Sequence, residues 1–135
     1  MKHITIPAEI KSIAKAISPI IGALEDAEAD FVLTNKIEVA IDEILTNISL
    51  HAYAPGSGNI DIDYSLEEDR RLFTVIITDE GVAFDPLAKE DPDVSLSEKE
   101  RPIGGLGIYI VKNVMDEVTY SRVGNKNVLT LKKTI

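Results

Sequence analysis

The sequence contains no cysteine, which excludes disulfides and thiolate metal sites. It has two histidines, His3 and His51. Zinc centres ordinarily take three or four protein ligands, so a zinc enzyme is not expected. No apolar run reaches the length that crosses a bilayer, and the first residues lack the hydrophobic core of a secretory signal, so a cytoplasmic protein is the expectation. Basic charge is scarce: 14 Lys and Arg stand against 23 Asp and Glu, a net charge of −9. Nucleic acid and anionic membrane both demand a basic footprint, and neither is expected as a partner. An acidic surface suits a basic protein partner, and it also simply keeps a chain in solution. There is no internal repeat and no linker-like stretch. What is present is 135 residues, 44% hydrophobic and 27% charged, the make-up of one ordinary domain over residues 1–135.

Periodicity supplies the elements. His3 to Ile6 alternate and read as a short strand ended by Pro7. Ala8 to about Asp26 reads as a helix with Ile10, Ile13, Ala14, Ile17, Ile20, Ile21 and Leu24 on one face. Pro19 is expected to kink or interrupt it. Asp30 suits the N-cap of a second helix reaching about Ala52. "YAPGSGN" from Tyr53 is turn chemistry. "NIDIDYSL" alternates strictly and "RRLFTVIITDEG" reads as its partner strand, ending in a turn at Gly81. From Phe84 to Ile103 no period emerges; a structureless stretch of about 20 residues in a compact domain is usually functional or disordered. A third helix follows from about Ile108 to near Asp116, then a terminal hairpin turning at Gly124–Asn125. The order β-α-α-β-β-loop-α-β-β predicts an α+β two-layer sandwich. Its sheet should be mixed and largely antiparallel, with three helices on one face.

Three constellations carry chemistry. On the second helix, Ile37, Ile41, Ile44 and Ile48 make the apolar stripe, while Glu43, Asn47 and His51 step by four along a neighbouring face. A solvated face would explain that polar row. So would a metal–water–phosphate site: magnesium accepts few protein ligands, one amide oxygen can anchor it, and a carboxylate one turn away can act as general base. His51 reads as a packing or hydrogen-bonding residue rather than a ligand. In "TVIITDEGVAFDP" a strand delivers Asp79 at its end, followed by Gly81. Asp and Gly are routine turn residues. A carboxylate there could equally accept from an exocyclic amine such as that of adenine, with Gly81 permitting close approach of the backbone. Finally, Gly104, Gly105 and Gly107 open a helix although glycine costs about 1 kcal/mol per helical position. The stretch matches neither the P-loop nor the dinucleotide fingerprint. A hinge would explain the glycines. So would a phosphate cradle, because a helix N-terminus has unpaired N–H groups and partial positive charge.

In this order the three motifs resemble those of the Bergerat-fold ATPases, the superfamily of gyrase, the large heat-shock chaperone and the histidine kinases. Glu43 and Asn47 lie in a helix that looks like the N box, "DEGVAF" like the first glycine box, and "GGLG" like the second, with Phe84 to Ile103 as the ATP lid. "DEILTNISLHAY" and "GGLGIYIVKNVMDEVTY" are most similar to the anti-sigma-factor serine/threonine kinase family. That resemblance implies ATP and Mg2+ as ligands, a homodimer, and two partners: a sigma factor and an anti-sigma antagonist that is phosphorylated on serine or threonine. It implies Glu43 as general base and Asn47 as magnesium ligand. Asp79 would bind the adenine amine, with Gly81 beside it. The N–H groups of Gly104, Gly105, Leu106 and Gly107 would meet the phosphates. The chain departs from the pattern at Ala83, where many relatives carry a second glycine. The Thr that relatives often place near adenine on the last strand is replaced by Asn127 or by Thr130. A non-catalytic module that binds ATP and acts by sequestration alone is the alternative.

Overall fold

The computed structural model describes residues 1–69, 71–88 and 106–135. Gly104, Gly105 and most of the expected lid lie outside these residues, as does the side chain of Leu106. Five strands and three α-helices are described: β1 (Lys2–Pro7), α1 (Ile13–Asp26), α2 (Phe31–His51), β2 (Asn59–Glu67), β3 (Leu72–Asp79), α3 (Leu106–Val114), β4 (Glu117–Val123) and β5 (Lys126–Thr134). Short 3-10 turns occupy Ile10–Ser12 and Pro86–Ala88, the latter inside the stretch that showed no period.

The strands form one sheet in the order β1-β2-β3-β5-β4. The expectation of a mixed sheet needs correction, because all four pairings are antiparallel. The connections explain this. Two helices separate β1 from β2, and one helix and one strand separate β3 from β5. An even number of passes returns the chain in the opposite direction. The β4–β5 hairpin turns through Gly124, whose φ of 62° is the left-handed conformation glycine tolerates.

The core lies between the helices and one face of the sheet. Alternation puts Ile60, Ile62 and Tyr64 of β2, Phe73, Val75 and Ile77 of β3, and Leu129 and Leu131 of β5 on that face. Ile13, Ala16, Ile17, Ile20 and Leu24 of α1 and Ile37, Ala40, Ile41, Ile44 and Leu45 of α2 cover it. Two residues of the expected α1 stripe are displaced. Ile10 is exposed because the helix proper begins three residues later, after the 3-10 turn, and Ala14 is exposed while Ala16 takes the buried place. Pro19 lies within α1 without ending it. Both Pro19 and Lys15, whose carbonyl loses its donor, face solvent, so water can satisfy that oxygen.

Asp30 caps α2 as expected, its carboxylate accepting from the Leu33 N–H at 3.0 Å. At the other end of α2, the Tyr53 hydroxyl donates to the Asn59 carbonyl at 2.6 Å and accepts from the Glu80 N–H at 2.6 Å. One side chain thus ties the helix to the start of β2 and the end of β3. Burial, with the neighbouring Asp79, Glu80 and Asp61 charges, pushes that phenol above its ordinary range against the opposing Glu80 hydrogen bond. Asp116 ties β4 to β5: its carboxylate accepts from the Thr134 N–H at 2.7 Å and from Lys133 Nζ at 2.9 Å. These two donors hold it below the usual carboxylate range.

Candidate functional site

A cavity of about 440 Å3 opens between α2, α3 and the ends of β3, β4 and β5. Its position follows from the sheet order. Asp79 ends β3, and the register sets it opposite Asn127 on β5, which in turn faces Arg122 on β4. Helix α2 brings Glu43, Asn47 and His51 to the same opening, and α3 brings Gly107. The wall includes the apolar side chains of Ile77, Val111 and Leu129.

Of the residues singled out from sequence, Glu43, Asn47, Asp79 and Gly107 line this one cavity. Glu43 is half-buried and Asn47 is exposed, as a helix running along the rim requires. A Cβ on Gly107 would stand 2.6 Å from Glu43 Oε2. The glycine therefore makes room for the carboxylate, which sits at the start of α3 where the helix dipole favours negative charge. His51 lines the cavity, and its side chain has no hydrogen bond among the described residues. Gly104 and Gly105 lie outside the described residues.

Gly81 has a different setting from the one sequence suggested. It is buried, and a Cβ there would collide with the Ala52 carbonyl oxygen and come within 2.6 Å of the Ala52 Cβ. The close approach it permits is to the C-terminal end of α2. Val82 N–H donates to the same Ala52 carbonyl at 3.0 Å, so the turn after β3 docks on the helix.

Asp79 is 5% exposed. Its Oδ1 accepts from the Gly81 N–H at 2.9 Å and from Asn127 Nδ2 at 3.0 Å. Its Oδ2 accepts nothing among the described residues and is not sealed from solvent. A buried carboxylate with one oxygen open to an apolar-walled cavity is placed to accept from a donor there. Parity puts Asn127, and not Thr130, on the cavity face. Asn127 shares the cavity face with Leu129 and Leu131, whereas Thr130 projects from the other face, in line with Ile76 and Thr119.

Sequence reasoning gave no individual role to Tyr120 and Arg122, which approach the site through Asn127, while Val82 and Phe84 of the expected first glycine box line the cavity. A signal existed for Asn127. In "NVLTLKK" it occupies a core-parity position, where a polar residue calls for a partner. No comparable signal marks Arg122, since its importance rests on a strand pairing distant from any motif.

Known proteins match the chain over most of its length. The model of the histidine kinase-like ATPase domain matches residues 6–133. A serine-protein kinase RsbW of Bacillus cereus is 32% identical over 117 residues, covering 84% of this chain and 72% of the relative. An RsbW of Bacillus anthracis is 36% identical over 86 residues, covering 61% of this chain and 52% of the relative. The chain thus spans between half and three quarters of these relatives. Among solved structures, the histidine kinase domain of a blue-light activated histidine kinase from Erythrobacter litoralis superposes with a TM-score of 0.57. Its sequence identity is 18%, and the match covers 90% of this chain and 60% of that one. At this identity the likeness establishes the fold.

Proposed function

Because the chain belongs to the histidine kinase-like ATPase domain family, in the branch of the anti-sigma serine-protein kinases, we propose that it is an ATP-dependent protein serine/threonine kinase that regulates transcription. In this reading it phosphorylates an anti-sigma antagonist and sequesters a sigma factor, as a cytoplasmic homodimer. The observation that carries the reading is the convergence of Glu43, Asn47, Asp79 and Gly107 on one cavity.

The residues fit a magnesium nucleotide. The open oxygen of Asp79 suits the adenine amine, and Ile77, Val111 and Leu129 suit the faces of a base. The Cβ-free Gly107, with Gly104, Gly105 and Leu106 preceding it, suits phosphate oxygens at backbone N–H groups. No three His, Cys, Asp or Glu side chains converge on a metal among the described residues. A magnesium ion held by the Asn47 amide oxygen together with phosphates and water needs no such cage. Bound there, it would neutralise phosphate charge. Glu43, one turn from Asn47, would take the proton from the acceptor hydroxyl. Phosphoryl transfer asks little more of the protein than such positioning and charge compensation. Glu43 also favours the kinase over the alternative of a module that holds ATP as a structural ligand, since holding a nucleotide requires no base.

The test is a thermal melt with ADP or ATP, with and without magnesium. Nucleotide at 100 times its dissociation constant should stabilise the fold by about 2.7 kcal/mol. The gain should depend on magnesium and vanish in Asp79→Asn. No gain at millimolar nucleotide would overturn the reading.

A further inference from the structure

Asn127 sits at the centre of a hydrogen-bond cluster that lies apart from Glu43 and Asn47. Its Nδ2 donates to Asp79 Oδ1 at 3.0 Å and to the Val82 carbonyl at 2.8 Å. Its Oδ1 accepts from the Tyr120 hydroxyl at 2.6 Å, Arg122 Nη1 at 3.2 Å and the Phe84 N–H at 3.3 Å. These bonds allow the amide one orientation. Turned over, its NH2 would face three donors and its oxygen would face a carboxylate. Arg122 Nη1 also donates to the Gly81 carbonyl at 2.9 Å, so the edge strand β4 holds both Asn127 and the turn that follows Asp79.

The consequence falls on Asp79. Asn127 and the Gly81 N–H both engage Oδ1, which fixes the rotation of the carboxylate and leaves Oδ2 to the cavity. We propose that Asn127 is a positioning and specificity-determining residue: it locks Asp79 so that Oδ2 selects a purine bearing a 6-amino group over one bearing a 6-oxo group, with Tyr120 and Arg122 of β4 holding Asn127 in turn. A 6-oxo group would set acceptor against acceptor in a partly desolvated site, and the locked carboxylate cannot turn to avoid it. The proposal rests on the nucleotide reading above and adds the group that enforces the choice of base.

Calorimetry on the full chain with magnesium, using ADP and inosine diphosphate, tests it. Wild-type protein should prefer ADP by about tenfold or more, the range for a hydrogen bond to a charged group. Asn127→Asp sets a second carboxylate beside Asp79, and Asn127→Leu removes the amide while keeping its bulk. In both, the preference should collapse toward one. Tyr120→Phe removes a single hydroxyl from the support of Asn127 and should reduce the preference partway, which keeps the test open if an Asn127 variant fails to fold. A melting temperature measured without nucleotide separates the roles. If the Asn127 variants melt lower yet keep the wild-type preference, Asn127 is only structural and the proposal falls. If wild type binds both nucleotides equally, the proposal falls while the nucleotide site stands. If wild type binds neither, the nucleotide reading itself falls.

Discussion

At the scale of single residues, glycine and carboxylate divide the work. Glu43 and Asn47 reach the cavity from adjacent turns of α2, and Gly107 leaves space for the Glu43 carboxylate. Glu43→Ala should leave nucleotide affinity within a few-fold of wild type while cutting phosphotransfer by about 100- to 10,000-fold, the usual worth of a positioned base. Radiolabel transfer to the proposed antagonist measures it, and an unchanged rate would remove Glu43 from that role. Gly81→Ala should act differently, because its added methyl meets Ala52 backbone rather than a movable side chain. A loss of about 1–3 kcal/mol in urea unfolding is expected from overpacking. Nucleotide should also bind more weakly, since the Gly81 N–H helps to orient Asp79. Full stability in that variant would show that the turn can shift off α2 at no cost.

At the scale of elements, α2 joins the core to the candidate site. Its buried stripe docks on the sheet while its rim carries Glu43, Asn47 and His51. Its N-cap lies far from that rim: Glu43 is thirteen positions beyond Asp30, about 20 Å along a helix axis. Asp30→Ala should therefore cost about 1 kcal/mol of stability through the lost cap. It should leave nucleotide affinity unchanged, provided the comparison is made well below the melting temperature. A loss of affinity would mean that strain at the cap travels the length of the helix. The α2 cap, the β2–β3 hairpin and the terminal hairpin were all legible in sequence, because cap, alternation and turn signals act within a few residues. The start of α1 was not. A 3-10 turn and an α-helix share a similar apolar spacing over so short a run, and only packing shows that Ile10 falls outside the core.

At the scale of the whole molecule, one core cluster spans both layers, from Ile6 of β1 to Leu131 of β5. No helix among the described residues is long and apolar enough to cross a membrane. A single core should unfold in one transition. Far-ultraviolet circular dichroism and tyrosine fluorescence in urea should give the same midpoint; separated midpoints would divide the chain into two cooperative units. The cavity is a property of this scale. Its lining comes from residues 43 to 129, gathered from α2, the end of β3, α3, β4 and β5.

The sequence by itself determined the kinds of elements and their order, because side-chain period and turn chemistry are local. It also singled out Glu43, Asn47 and Asp79 as candidates, because their spacing on one helix and at one strand end is local too. Only the tertiary structure decided what surrounds them. The strand order β1-β2-β3-β5-β4 sets Asp79 beside Asn127 and Asn127 beside Arg122, and the docking of the β3 turn on α2 gives Gly81 its neighbour in Ala52. These contacts join residues 29 to 48 positions apart, or bring edge strand β4 onto β5 in one register. Register between strands is settled by burying one face of the sheet as a whole, which is why parity chose Asn127 over Thr130 for the cavity when the sequence left both open.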